Sequence, residues 1–184
     1  MSEFVRQIPQ GDTRERLVCP SCGHIDYQNP KVVVGAVVVH AGRVLLCRRA
    51  IEPRRDFWTL PAGYLELGET AKEGAMRETF EEAGARIAID GILAVYSISR
   101  IGQVQIIYRA RFADPDQPHF AAGPESLEVE MFGSDDVPWH DLAFPSAHWA
   151  LRAWRAHGDG PLGAPATNPL EDPRGVRRLV GAES

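Results

Sequence analysis

The chain has 184 residues, a formal net charge of −5 and a hydrophobic content of 44%, enough for one folded core without cross-links. The acidic balance argues against a dominant nucleic-acid or anionic-membrane surface, while leaving room for a local basic patch. No apolar run approaches the roughly 20 residues of a membrane span, the start MSEFVRQIPQ has no signal core, and the few cysteines fit a reducing compartment, so a cytoplasmic protein is expected.

Residues 1–17 are polar and without periodicity, and read as a loosely held arm. Cys19, Cys22, Gly23 and His24 then form a knuckle of the kind that holds zinc. A structural zinc site takes four ligands, as a rule from two such knuckles, and no second CxxC is present. Zinc is therefore not expected on Cys19 and Cys22; were it bound, His24 or a second copy of the chain would complete it. The other readings are a bare β-turn and, lacking a βαβ context, a redox pair. Cys47 stands alone in an apparent strand, where a buried thiol is the commoner state.

The continuous β-branched run 32–39 predicts a central strand buried on both faces. His40 and Gly42 mark a turn, and 43–49 alternates into a second strand, giving a hairpin. The loop 50–56 is flanked by the pairs Arg48, Arg49 and Arg54, Arg55. Arg48, Arg54 and Arg55 are candidates to hold phosphates or ribose of a substrate; the alternative is solvated surface charge.

The stretch 63–85, GYLELGETAKEGAMRETFEEAGA, reads as a loop that opens a helix. Thr70 and Glu73 have capping-box spacing, and Gly84 sits where a left-handed cap ends the helix. At roughly 100° per residue, Ala75, Met76, Thr79, Phe80 and Ala83 share one side, the expected buried face. Glu78, Glu81 and Glu82 fall together on the other. Like charges at this spacing repel by about 0.2–0.5 kcal/mol a pair, and anions near a helix C-terminus cost roughly 0.3–1 kcal/mol each. Arg77 offsets only part of this. With the small residues Ala71 and Gly74 one turn below, these hard oxygens suit magnesium or manganese better than a plain solvated face.

Beyond the helix, 86–99 and 103–112 predict two strands joined around Gly102, and 114–124 a long proline-punctuated loop. Alternation returns over 125–132. A helix over 147–156 packs Trp149, Leu151 and Trp154 on the sheet, with His148 and His157 at the surface or boundary. Residues 158–184, rich in proline and glycine, read as a disordered or wrapped tail that buries no core. The expected organisation is an arm with a half knuckle (1–30), a principal domain (31–157) and this tail (158–184). Element order alone supports α+β with a mixed or antiparallel sheet.

Gly63, Glu69, Arg77, Glu78, Glu81, Glu82 and Gly84 stand at the spacing GX5EX7REUXEEXGU, which resembles the signature of the Nudix hydrolases. Thr79 and Ala85 occupy the aliphatic U positions, a departure that thins the apolar face and leaves the charged set complete. The resemblance implies an α/β fold, an α/β/α sandwich with a mixed β-sheet. It implies cleavage, with two or three Mg²⁺ or Mn²⁺ ions, of the phosphoanhydride joining a nucleoside diphosphate to a second group. It implies Glu78 and Glu82 as metal ligands, Glu81 as bridging ligand or base, and the backbone at Gly63 in the metal site. Glu69 then orients Arg77, and Glu125, or failing it Glu128, supplies a further acid. The segment from Cys19 into Lys31 resembles the C-terminal half of a zinc ribbon that precedes some Nudix enzymes.

The segments CRRAIEPRR, FWTLPAGYLELGE and IGQV resemble a Nudix subgroup with FAD, NADH and ADP-ribose pyrophosphatases. The leading expectation is a pyrophosphatase of that class, releasing a nucleoside monophosphate from a small-molecule substrate, monomeric or homodimeric. The alternatives are a nucleoside-triphosphate pyrophosphatase, a non-catalytic nucleotide sensor (such modules usually show a degraded signature) and an RNA cap hydrolase, which would want a basic track.

Overall fold

The computed structural model describes residues 4–158 and 160–170. The chain divides between Pro30 and Lys31 into two compact units.

The first unit corrects the expectation of a loose arm. Strands β1 (Val5–Gln7), β2 (Arg16–Val18) and β3 (Ile25–Asp26) form an antiparallel sheet, with Val5 opposite Val18 and Leu17 opposite Asp26. Strands this short escape a periodicity reading, because two or three residues cannot display alternation. Asp12 turns the connection between β1 and β2, accepting from the Thr13 N–H (2.7 Å) and Arg16 Nε (2.8 Å). The knuckle is a closed turn: Cys19 N–H donates to His24 O (2.8 Å), and Gly23 N–H to Cys19 O (2.9 Å).

In the second unit, β4 (Lys31–His40) and β5 (Arg43–Arg49) form the expected hairpin, followed by β6 (Trp58–Thr59) and β7 (Ala62–Tyr64). Helix α1 (Ala71–Ala83) leads to β8 (Ile87–Ile98), β9 (Gln103–Phe112), β10 (Ser126–Gly133) and α2 (Pro145–His157). The sheet order is β10-β5-β4-β9-β8, with β6 on β5 and β7 on β4. Strands β4 and β9 run parallel and the remaining pairs antiparallel, so the sheet is mixed.

Alternation along β4 and β5 splits the core. Val37, Val39, Val44 and Leu46 pack with Trp149, Leu151 and Trp154 of α2, whereas Ala36, Val38, Leu45 and Cys47 pack with Ala83 and Ala85 at the end of α1. A helix on each face is why β4 reads as an unbroken apolar run. His148, expected at the surface or boundary, is buried and stacks its ring obliquely on Trp139, 5.7 Å away; His157 is half-buried.

As far as it is described, the tail is wrapped, one of the two forms expected, but it does add to the core. Leu162 and Ala166 pack against the α2-side core. Ala166 exchanges backbone hydrogen bonds with Leu93 and Val95, and Asn168 brackets the Ser97 backbone with its amide (both 2.8 Å). These contacts cover the outer edge of β8, a row of backbone groups that would otherwise stay unpaired. A proline-rich segment makes no core of its own, but it can complete an existing one. Residues 171–184 lie outside the described residues. Among those described, no helix is long and apolar enough to cross a membrane.

Candidate active site

Helix α1 is built at its ends as its sequence dictates. The Glu73 N–H donates to Thr70 Oγ1 (3.3 Å) and the Thr70 N–H to Glu73 Oε2 (2.7 Å), while Gly84 takes the left-handed cap and donates to Phe80 O. The remaining C-terminal carbonyls are met by the long loop. Ala121 N–H donates to Ala83 O (2.8 Å) and Gly123 N–H to Glu82 O (3.1 Å), satisfying acceptors a helix end leaves open. A Cβ at Gly123 would collide with the Glu81 carbonyl oxygen. Gly123→Ala is therefore expected to cost about 1–3 kcal/mol in denaturant unfolding, as overpacking does; an unchanged midpoint would contradict this contact.

The buried face of α1 is not the expected one. Met76 and Phe80 are 42% and 49% exposed, while Gly74, Ala75, Thr79, Glu82 and Ala83 are buried. The face is turned by about 70° from the apolar reading, counted at the helical step, and is centred near Ala75 and Glu82. Small residues explain it: Gly74 leaves no room for a Cβ beside Glu69, Val34 and Leu65, so the helix lies close against β4 and the loop before it. Thr79 fits the dry face because its hydroxyl donates to Ala75 O (2.7 Å). The acids are consequently set into the edge of the buried face. Glu82 is 8% exposed, Glu78 has little exposed side chain, and only Glu81 faces solvent.

Each acid is held differently. Glu82 Oε2 accepts from the Ala62 N–H of β7 (3.0 Å). Burial pushes its carboxyl up to about 8; the charges of Glu78 and Glu125 add to this, while the Ala62 N–H and the charge of Arg49 oppose it. Glu78 lies so tightly against Gly63 that a Cβ there would fall on its carboxylate. Its carboxyl is raised, first by burial, against the pull of Arg77. Glu69 goes the other way, held down at about 2 by Arg77 first and then by the Glu66 N–H.

Arg77 ties the group together. Its Nε and Nη2 form a fork on Glu69 (3.0 and 2.8 Å), Nη2 also donates to Tyr64 O (3.0 Å), and Nη1 donates to Glu78 (2.8 Å) and Glu81 (2.9 Å). Every guanidinium N–H is thereby used.

The expected ligand positions do not form a closed cage: among the described residues, no group of three His, Cys, Asp or Glu side chains is disposed to hold an ion alone. Arg77 draws Glu78 and Glu81 toward itself. The donor set nevertheless fits a hard divalent ion. It is carboxylate oxygen throughout, the Cys47 thiol nearby is pushed up by burial and by Glu82, and magnesium usually binds one or two carboxylates with water and substrate phosphates completing its shell. Glu125, exposed in the turn just before β10, acts by charge on both Glu78 and Glu82, and its carbonyl accepts from the Ala50 N–H (2.8 Å). Glu128 instead pairs across strands with Arg48 (3.4 Å).

The candidate arginines lie in different surroundings. Arg48 is engaged by Glu128 and by Asp56 (3.8 Å), Arg54 lies over the Phe57 ring (5.0 Å), and Arg55 is exposed. The guanidinium whose charge acts on Glu82 belongs to Arg49, which donates to Pro53 O (2.9 Å) and lies over Phe144 (5.1 Å). Strand alternation is the reason: Arg49 shares the α1 side with Leu45 and Cys47, and Arg48 points to the other. That signal was present in the spacing of β5.

Comparison with known proteins agrees with this geometry. The family model described as NUDIX domain matches residues 29–154. The chain belongs to the Nudix family. A second model, Nudix N-terminal, which is the family's zinc ribbon, matches residues 2–28. That match covers β1, β2 and β3 of the segment expected to be a loose arm, and a single cysteine knuckle, Cys19 and Cys22, lies within it. A solved Nudix hydrolase from Nitrosomonas europaea is 47% identical, covers 88% of this chain and 92% of that one, and superposes with a TM-score of 0.80. A MutT-like protein of Streptomyces ambofaciens is 40% identical over 105 residues, 57% of this chain and 64% of that protein. An ADP-ribose pyrophosphatase of Methanocaldococcus jannaschii is 31% identical over 119 residues, 64% of this chain and 69% of that one. The Nudix chain thus spans about two thirds of the length of these two curated relatives.

Proposed function

We propose that this Nudix chain hydrolyses the pyrophosphate of a nucleoside diphosphate joined to a second moiety, in the class of FAD, NADH and ADP-ribose, and releases a nucleoside monophosphate. One observation carries the reading. Glu82 is a carboxyl buried beside two other acids with one backbone N–H as its hydrogen-bond donor, an arrangement that calls for added positive charge. The likeness to an ADP-ribose pyrophosphatase supports the substrate class.

Divalent cations, Mg²⁺ or Mn²⁺, would be held by Glu82 and Glu78 with Glu81 and Glu125 in reach, and would neutralise the anhydride and acidify a water. The protein's own part is positional. The Ala62 N–H fixes one Glu82 oxygen and leaves the other free to bind. Gly63 lets the backbone close on Glu78. Arg77, anchored by Glu69, holds Glu78 and Glu81 at one side of the site; partners of this kind are worth about 10–100-fold in metal affinity or activity. Glu81, the exposed acid of α1, has one oxygen on Arg77 (2.9 Å), and its other oxygen is the group we assign to take a proton from an attacking water.

The test is a panel of FAD, NADH, ADP-ribose and nucleoside triphosphates with Mg²⁺ and with Mn²⁺, products read by mass. The expected result is a nucleoside monophosphate from at least one of the first three and no turnover in EDTA. Release of inorganic pyrophosphate from triphosphates alone would move the chain to the house-cleaning class. Binding without cleavage of any compound would make it a sensor.

A further inference from the structure

A cavity of about 380 Å³ lies where the 50–57 loop meets the segment entering α2, lined by Arg54, Phe57, Trp139, Leu142, His148 and Arg152 among others. This volume falls in the range of small-molecule sites. Its lining combines flat rings with cations. The Arg54 guanidinium stands 5.0 Å from the Phe57 ring centre and that of Arg152 5.4 Å from the Trp139 ring centre. Among the described residues neither arginine pairs with a carboxylate, whereas Arg155, also over Trp139, reaches Asp135 at 3.4 Å.

The loop holding Arg54 is constrained as well. Arg54 and Asp56 both adopt left-handed backbone (φ 66° and 70°), a conformation that costs non-glycine residues energy and persists where surrounding bonds over-determine it. Those bonds are present. Asp56 N–H donates to Arg49 O (3.0 Å), Arg49 N–H to Phe57 O (2.9 Å), Arg48 Nε to Asp56 O (3.2 Å) and Arg49 Nε to Pro53 O (2.9 Å). Arg49 thus ties the loop on one side and acts by charge on Glu82 on the other.

The geometry points to a binding site for a nucleoside monophosphate group. A nucleobase stacks on aromatic rings and on guanidinium planes, and a phosphate takes charge-assisted hydrogen bonds from arginine. The reading of the active site above enters only in choosing a nucleotide among flat anions. Such a group has two sources here, the far half of a two-headed substrate or free nucleotide released by turnover.

The test is calorimetric titration of AMP into the full chain in EDTA, where phosphate binding through a divalent ion is abolished. Wild type and Glu82→Gln are expected to bind AMP equally, adenosine at least tenfold more weakly. Arg152→Glu, on an exposed helix position, and Arg54→Gly, which suits the left-handed backbone, are each expected to weaken AMP at least tenfold with the melting curve retained. No heat of AMP binding in EDTA, or affinities within twofold of wild type in both variants, overturns the proposal. The source is then read from NADH kinetics. An Arg152→Glu effect confined to KM places the far half of the substrate in the cavity. An unchanged KM, with AMP altering the rate of wild type and not of the variant, places free nucleotide there. Because binding in EDTA needs no turnover, an inactive chain that binds AMP removes the pyrophosphatase reading and keeps the cavity; an active chain that does not bind it does the reverse.

Discussion

Glu82→Gln is expected to lower kcat by about three orders of magnitude, the equivalent of some 4 kcal/mol of lost charge stabilisation, while the protein becomes more heat-stable without metal. Both effects have one cause. The Glu82 carboxyl is buried and its folded-state value is raised from 4.5 to about 8. Between those values the folded protein holds a proton that the unfolded chain has given up, so stability falls as pH rises through this window. Glutamine keeps the acceptor for the Ala62 N–H and carries no charge. In EDTA the melting temperature of the variant should therefore exceed that of wild type by a margin that grows from pH 4.5 to pH 8 and then levels. Each kcal/mol is worth roughly 2–4 °C in a chain of this size. Mn²⁺ should raise the melting temperature of wild type and leave the variant nearly unmoved. Equal melting temperatures across that range, or near-normal turnover, would refute the role given to Glu82.

Arg77→Ala is expected to lower the melting temperature by roughly 5–10 °C, since removing one member of a paired charge group leaves its partners uncompensated. Five hydrogen bonds vanish together, to Glu69, Tyr64 O, Glu78 and Glu81. Arg77→Lys keeps the charge but loses the fork on Glu69, so it should recover part of the stability and still lose about 10–100-fold in kcat. The pH signature differs from that of Glu82. Glu69 is held at about 2, so its contribution is present above pH 4.5 and disappears as pH falls toward 2. The alanine variant should lack this acid-side loss. A melting temperature within 2 °C of wild type would show that Arg77 organises nothing.

Exposed apolar residues on α1 follow from the same packing. Met76 and Phe80 were the natural choice for a core-facing stripe, and they face outward because small residues, not large ones, meet β4. Periodicity counts apolar side chains and is blind to close approach. A glycine or alanine contributes little to an apolar pattern, yet it decides how near two backbones come and which neighbours are buried with them.

What the chain settles by itself is local. Thr70, Glu73 and Gly84 set the limits of α1, since capping bonds form between neighbours in sequence. The run 32–39 marks a strand buried on both faces, and the spacing from Gly63 to Gly84 identifies the family, since each reads out over a few residues. Only the folded molecule decides the rotation of α1 that buries Glu82, the service of Ala121 and Gly123 to the end of that helix, and the use of residues 160–170 to close β8. All of these join residues far apart in the chain, and their energies come from shape and desolvation at the contact, quantities that exist only once the backbones have been brought together.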